Sequence, residues 1–397
     1  MPSQSSRIFA EESLCPLHER LDGIASAIPD APAVADADGE LNYRDLSDGS
    51  RRIASSLLEE IGCENQSVAL LFGRGAQQQT ATMGVFRAGH RAVPLDASYP
   101  LERLRLIVEA SQTRVILADA ENMRLAESLL NPHAVARGFD ALHARGDAER
   151  DFPAVDVNTP SLIIYTSGST GIPKGAVHTH CTLLHNCLRR GKATGLVPGD
   201  RHSHFEPAGF IPAVTVSMLA LLNGGTVCPF DPRTYGIARL IEFVAEQRIS
   251  VMRATPSLLR AIFAALPCDQ HLPALRCIPT GGEVVRSSDL RAFNAHALDG
   301  CALLITYGSS ETGTLAMRRF CWGDPPDNDP IGIGTPLDDV EIDIVDEATG
   351  EPAPLGNEGP DRGPLALLRQ RILEHARSNG CCLHIRPGHW PDQLLFG

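Results

Sequence analysis

The hydrophobic and polar positions of residues 1–120 change period repeatedly. From Asn42 to Gly62 the apolar residues Leu46, Ile53, Leu57 and Leu58 recur at helical spacing. Asn42, with Asp45 in the first turn, is placed to cap that helix and Gly62 to end it. The apolar run Ser67-Val-Ala-Leu-Leu-Phe72 then predicts a buried strand. A second helical stretch ends near Gly89, Ala92-Val-Pro-Leu-Asp96 predicts a strand, Pro100 opens a helix through Val108, and Arg114-Val-Ile-Leu-Ala118 predicts another strand. Strands separated by helices of this length need crossover connections, which gives a mostly parallel sheet and an α/β fold.

Residues 130–158 are polar and rich in Asp and Arg, with Ala-Arg-Gly-Asp-Ala-Glu-Arg at 144–150, and read as a surface connection between two halves. The rhythm resumes with strands at Leu162-Ile-Ile-Tyr165, Gly225-Thr-Val-Cys-Pro229, Ser250-Val-Met252 and Cys301-Ala-Leu-Leu-Ile305, and helices from Ile237 to Glu246 and after Pro256. The strict alternation of Val340-Glu-Ile-Asp-Ile-Val345 predicts a half-exposed antiparallel strand. The expected division is a first αβ unit over 1–150, a second over 151–330, the start of a small β unit over 331–359, and an atypical tail over 360–397.

Composition narrows the function classes. The 397 residues hold 35 Lys+Arg against 48 Asp+Glu, a formal charge of −13. A nucleic-acid partner is not expected, because phosphate backbones need a basic surface. No apolar segment reaches the roughly 20 residues of a membrane span, and Met1–Leu14 lacks a signal-peptide core, so a cytoplasmic location is expected. The 11 cysteines, without any Cys-x-x-Cys spacing, read as reduced thiols.

The chemistry concentrates in Tyr165-Thr-Ser-Gly-Ser-Thr-Gly-Ile-Pro-Lys-Gly175, directly after an apolar strand. Glycines let backbone N–H groups converge on an anion, hydroxyls add donors, and lysine adds a mobile charge, so the segment suits phosphate. A flexible Ser/Gly linker is the bland alternative, but linkers are not normally flanked by strands. A conventional P-loop phosphotransferase is disfavoured, because Lys174 lies between Pro173 and Gly175 instead of preceding Ser or Thr at a helix start. His178, His180, Cys181, His185 and Cys187 do not form the paired spacing of a zinc site.

Thr166 to Gly175 resembles the phosphate-loop signature of the adenylate-forming superfamily, which comprises acyl-CoA synthetases, amino-acid adenylation domains of nonribosomal peptide synthetases, and luciferases. The likeness extends from Leu41 to Glu358 and implies two doubly wound αβ subdomains facing a cleft, followed by a small β subdomain. It implies that Thr166, Ser167, Gly168, Ser169, Thr170, Gly171 and Lys174 grip the phosphates of ATP, with Lys174, Thr166, Glu311 and His180 also serving catalysis. Tyr307-Gly-Ser-Ser-Glu-Thr312 resembles the family's Tyr-Gly-x-Thr-Glu segment. There Tyr307 would stack on adenine, Gly308 would belong to the cofactor site, Ser310 would keep a hydroxyl near the α-phosphate, and Glu311 would hold Mg²⁺, a hard cation that wants carboxylate oxygen. Read alone, the hexapeptide could equally be a strand-end turn. Gly281-Gly-Glu283 is similar to the adenine-side loop, though this is also a common turn, and His180 would line the wall beside the phosphate loop.

The likeness also implies an acid substrate. Phe205-Glu206 stands where amino-acid-specific members carry Phe-Asp, whose aspartate pairs the substrate ammonium. Either Glu206 keeps that role, or it is a surface carboxylate and the substrate is a plain carboxylic acid. The asparagine often found two residues before the tyrosine is absent, since Ile305 and Thr306 precede Tyr307. Coenzyme A or a phosphopantetheine carrier protein is the implied acceptor. After Gly359 the family's Gly-Asp motif, hinge and lysine-bearing domain are not recognisable. Instead Leu365, Leu368, Ile372, Leu373 and Ala376 are spaced for a short amphipathic helix. The expectation is ATP-dependent acyl-adenylate formation by a truncated chain, with a non-catalytic nucleotide-binding remnant or interaction protein as the alternative.

Overall fold

The computed structural model describes residues 15–166, 173–267, 271–326, 328–337, 340–345, 369–374 and 384–385. The chain opens with α1 (Leu17–Ala27), the hairpin β1 (Pro32–Asp36) and β2 (Gly39–Asn42), and α2 (Tyr43–Ile61). The cap of α2 is the one expected: Asn42 Oδ1 accepts the Asp45 N–H at 2.8 Å, and Gly62 leaves the helix at φ +77. Then follow β3 (Ser67–Leu71), α3 (Ala76–Arg87), β4 (Arg91–Leu95), α4 (Leu101–Ala110), β5 (Thr113–Ala118), α5 (Met123–Ser128), β6 (Val135–Gly138), α6 (Phe139–Arg145), β7 (Pro160–Thr166) and β8 (Lys174–Thr179).

These strands build a six-stranded sheet in the order β6-β5-β3-β4-β7-β8, parallel except for β8. All five residues of β3 are buried, as a central parallel strand covered on both faces requires. Helices α2 and α3 approach so closely at Gly84 that a Cβ there would lie 2.6 Å from Ile53 Cγ2.

The second half carries α7 (His180–Thr194), β9 (Arg201–His204), α8 (Ile211–Leu221), β10 (Thr226–Pro229), α9 (Pro232–Glu246, broken at Gly236), α10 (Pro256–Ala265), β11 (Cys277–Gly281), α11 (Ser287–His296), β12 (Ala302–Ser309), β13 (Gly313–Cys321) and β14 (Thr335–Pro336). Two four-stranded arrays, β2-β1-β10-β9 and β11-β12-β13-β14, are joined by Val251, which bridges His202 on one side and Cys277 on the other. The result is one mixed sheet whose central members are parallel. Each of the two large sheets takes strands from both sides of residue 150, so the halves exchange strands. A third, antiparallel sheet joins β15 (Val340–Val345), β16 (Arg369–Glu374) and β17 (His384–Ile385).

Four sequence expectations give way. Residues 130–158 are more than a connection: Val135 and Ala136 extend the six-stranded sheet beside β5, and buried Phe139 and Leu142 seat α6, so a few apolar residues outweigh the polar average. The strand at 250–252 shrinks to the single bridge at Val251. Ile372 and Leu373 lie in β16, because an edge strand offers the segment backbone partners that a short isolated helix lacks; Leu365, Leu368 and Ala376 lie outside the described residues. Cys181 is disulfide-bonded, whereas Cys15, Cys63, Cys187, Cys228, Cys277, Cys301 and Cys321 are free thiols; spacing along the chain does not reveal which sulfurs the fold brings together. Among the described residues no helix is long and apolar enough to cross a membrane.

Candidate functional site

Strands β7 and β8 form a hairpin in which Thr166 faces Lys174 and Tyr165 faces Gly175. Ser167, Gly168, Ser169, Thr170 and Gly171, which separate the two strands in sequence, lie outside the described residues. Its two anchors are fixed by local packing. A Cβ on Gly175 would lie 2.9 Å from Ile163 Cγ2 and 3.1 Å from the Tyr165 ring, so glycine gives that buried ring room to cross the strand pair. Lys174 is exposed at the rim, with its ammonium open to solvent.

Helix α7 starts where β8 ends. Thr179 caps it, accepting the Thr182 N–H at 3.2 Å while its own N–H donates to Thr182 Oγ1 at 3.0 Å. Further along, Asn186 Oδ1 accepts the Thr314 N–H at 3.4 Å and Arg189 Nη2 donates to the Thr314 carbonyl at 2.5 Å. One helix therefore runs from the end of β8 to the strand following the Tyr307–Thr312 motif. The two segments also lie side by side: the buried His178 ring sits near the Ser310 backbone, with the Glu311 carboxylate in electrostatic range.

Tyr307 and Gly308 sit at the carboxyl end of β12, where the register with β13 shifts. A Cβ on Gly308 would collide with the Gly313 carbonyl, so the hairpin closes this tightly only with glycine. Ser310, Glu311 and Thr312 make the turn, and Ser309 Oγ accepts the N–H groups of Glu311 and Thr312, both at 3.3 Å. The turn leaves Glu311 exposed, in no ion pair among the described residues. A carboxylate held out on an ordered turn fits a divalent cation.

The carboxyl end of the parallel neighbour β11 lies alongside, Gly281 in register with Thr306. A Cβ on Gly281 would strike the Thr306 carbonyl, and Gly282 turns the chain away at φ +85. Glu283 is spent locally: its Oε2 accepts the Ser257 N–H at 3.1 Å and the Ser257 hydroxyl, holding the first turn of α10.

His180 is placed differently from the wall position expected of it. Its ring is fully buried, Nδ1 accepting the Leu17 N–H at 3.3 Å, with edge contacts to Phe86 at 5.7 Å and His18 at 6.1 Å. Burial pushes its pKa down to about 4, so the ring is neutral near pH 7. It is the N-terminal anchor of α7 within the core.

Phe205 is packed against Phe230, ring centroids 6.4 Å apart. Glu206 is 7% exposed and so is no surface carboxylate. Its Oε1 lies 2.7 Å from Arg253 Nη1, and its Oε2 accepts the Phe205 N–H at 3.1 Å. Arg74 clamps the same turn, donating to the carbonyls of Glu206 at 3.0 Å and Phe205 at 3.4 Å and pairing with Asp231 at 3.0 Å. Sequence reasoning missed Arg253, Arg190, Arg74 and the bridging role of His178. Arg253 gave one signal, a charge directly after the apolar Val251-Met252.

Comparison with known proteins gives the family and the fold. A family profile described as AMP-binding enzyme matches residues 22–360. Syringomycin synthase SyrB1 of Pseudomonas syringae pv. syringae is 31% identical over 350 residues, covering 86% of this chain and 56% of that protein. Nonribosomal peptide synthetase vlms of Lecanicillium sp is 29% identical over 350 residues, 86% of this chain but 4% of that protein. The chain thus spans about half of one such relative and a small part of the other. Among solved structures, the N-terminal subdomain of Klebsiella oxytoca NpsA in complex with 3-hydroxyanthranilyl-AMSN superposes with a TM-score of 0.75 at 19% identity, over 87% of this chain and 84% of that one. Nonribosomal peptide synthetase FmoA3 superposes with a TM-score of 0.77 at 23% identity, over 87% of this chain and 37% of that one. The fold is that of an adenylation N-terminal domain, and by the length of its profile match the chain belongs to the AMP-binding enzyme family.

Proposed function

We propose that the chain binds ATP and activates a carboxylic or amino acid as its acyl adenylate. In that reaction a carboxylate oxygen attacks the α-phosphorus, the bond from that phosphorus to the α,β-bridging oxygen breaks, and pyrophosphate leaves with that oxygen. The observation that supports the reading is the approach of the β7–β8 hairpin, whose strands flank the glycine- and hydroxyl-rich segment in sequence, to the Tyr307–Thr312 turn, through His178 near Ser310 and through α7.

In this reading Thr166, Ser167, Gly168, Ser169, Thr170, Gly171 and Lys174 hold the phosphates, and Lys174 faces the charge that grows on oxygen as the bond to phosphorus changes. Tyr307 gives a face to adenine, with Gly281, Gly282 and Glu283 forming the adjoining loop and Gly308 and Ser310 near the α-phosphate. Glu311 is the carboxylate available to Mg²⁺, which when bound withdraws charge from phosphate oxygens. Phe205 and Glu206 border the acid. His180 acts through position, fixing the start of α7. NpsA has been solved fused to a carrier domain, ThdA, and a phosphopantetheine carrier or coenzyme A is the acceptor this reading implies.

Pyrophosphate exchange with ATP, Mg²⁺ and a panel of amino and carboxylic acids tests the reading. Acid-dependent exchange that falls on the order of a hundredfold in Lys174→Ala supports it, by comparison with the loss of one oxyanion donor. Nucleotide binding without exchange for any acid would leave a binding protein of the same fold.

A further inference from the structure

Strand β9, the Val251 bridge, β11 and β12 run parallel, so their carboxyl ends share one edge of the sheet. Ligands of open α/β sheets bind outside that edge. Gly281 and Tyr307 occupy it on one side. On the other, Glu206 follows β9 by two residues and Arg253 follows Val251 by two. A third charge, Arg190 of α7, lies in electrostatic range of both.

The charges of this group do not cancel. Arg253 and Glu206 neutralise each other, and Arg74 is matched by Asp231. His204, buried beside Glu206, is uncharged near pH 7, burial having pushed its pKa down to about 4. That leaves Arg190, 6% exposed, whose Nε has no hydrogen-bond partner. A buried guanidinium that shares its nearest carboxylate with a second arginine is costly, and an anion brought to it recovers that cost. The same arithmetic removes the feature an α-amino acid needs, since the Glu206 carboxylate that would receive its ammonium is already engaged by Arg253.

We infer that Arg190 and Arg253 are specificity-determining residues, and that this edge of the sheet selects an acid bearing a second anionic group over a free α-amino acid. The inference rests on the adenylation reading and names its substrate class. Arg253 silences the glutamate, and Arg190 supplies the unmatched charge that the second anionic group answers.

Calorimetry on the full chain tests it, with and without a non-hydrolysable ATP analogue. The probes are succinate and glutarate, the matched monocarboxylates butyrate and pentanoate, and 2-aminobutyrate. The dicarboxylates are expected to bind about tenfold tighter than their monocarboxylate partners, a difference one charge contact readily supplies, with 2-aminobutyrate no tighter than butyrate. Arg190→Met should erase the dicarboxylate preference. Arg253→Met should free Glu206 and raise 2-aminobutyrate affinity about tenfold. Native protein with no dicarboxylate preference, or with a preference for 2-aminobutyrate, overturns the inference even if neither variant folds. Analogue binding is read separately: its loss counts against the adenylation reading, while analogue binding beside an indifferent acid panel counts against the substrate class alone.

Discussion

Arg87 and Asp22 form a two-pronged ion pair, Nη2 standing 2.6 Å from Oδ1 and Nη1 2.8 Å from Oδ2. Arg87, on α3, is 2% exposed, and Asp22, on α1, also accepts the Ser47 hydroxyl of α2 at 2.6 Å, so the pair ties three helices together. Burial raises the Asp22 pKa, but the bonds and charge of Arg87, with the Ser47 hydroxyl, reverse that and leave it below its ordinary 3.8.

Asp22→Ala should therefore destabilise the chain by about 3 kcal/mol, because it strands a buried guanidinium. The sign with pH follows from the lowered folded pKa: this stabilisation is present above 3.8 and is lost as pH falls below it, through the folded value. Denaturant unfolding at pH 7 and at successive steps below pH 4 checks both points. The gap between native and Asp22→Ala should narrow in acid, and a constant gap would contradict the assignment.

A second acid effect comes from histidines that are buried neutral. Burial lowers His90, His180, His202 and His204 to about 4, and His18 to about 3, from 6.5. The unfolded chain thus binds more protons than the folded one between pH 6.5 and 4. Stability should be full above 6.5 and fall across that window, each ring contributing up to about 1.4 kcal/mol per pH unit. His180→Gln should make the decline shallower, as read from unfolding midpoints over the same pH range.

Much of this architecture is written in local pattern. The cap at Asn42, the stop at Gly62 and the unbroken apolar run of β3 are decided within a few residues, and each forms where the pattern places it. The hairpin of β1 and β2 joins β10, nearly 200 residues away, and that pairing has no local signature. The chemical motifs were legible because glycine and hydroxyl spacing is itself local. His180 misled for the opposite reason: its place at a helix start is local, but its burial against Leu17 and Phe86 depends on distant segments. Arg190 gave no signal and Arg253 only the charge after Val251-Met252 for the same cause, since neither sits in a motif and their meaning comes from Glu206.

The glycines at the carboxyl ends of β11 and β12 give a steric prediction. Gly281→Ala puts a methyl on the Thr306 carbonyl, and Gly308→Ala puts one on the Gly313 carbonyl. Backbone on both sides cannot yield as a side chain tip would, so each should cost about 1–3 kcal/mol in unfolding free energy. Each should also weaken ATP-analogue binding more than Gly23→Ala, where a Cβ meets nothing within 4 Å. Equal binding in all three variants would separate these strand ends from the nucleotide.

Glu311 allows the cleanest division between fold and function. It is exposed, its backbone N–H is held by Ser309 Oγ at 3.3 Å, and its carboxylate serves no ion pair among the described residues. Glu311→Gln should leave the unfolding midpoint within about 0.5 kcal/mol of native, as for other surface substitutions. If the carboxylate holds Mg²⁺, the variant should need about tenfold more Mg²⁺ for half-maximal ATP-analogue binding, because an amide oxygen is the weaker ligand for a hard cation. The buried ring of His178 supplies an independent readout. Burial lowers its pKa, while the Ser310 backbone and the Glu311 charge oppose that. Removing the charge should drop the His178 pKa further, followed by the ring's NMR shift in protein without nucleotide. A Mg²⁺ requirement unchanged while His178 moves would keep the electrostatic contact and remove Glu311 from the metal site.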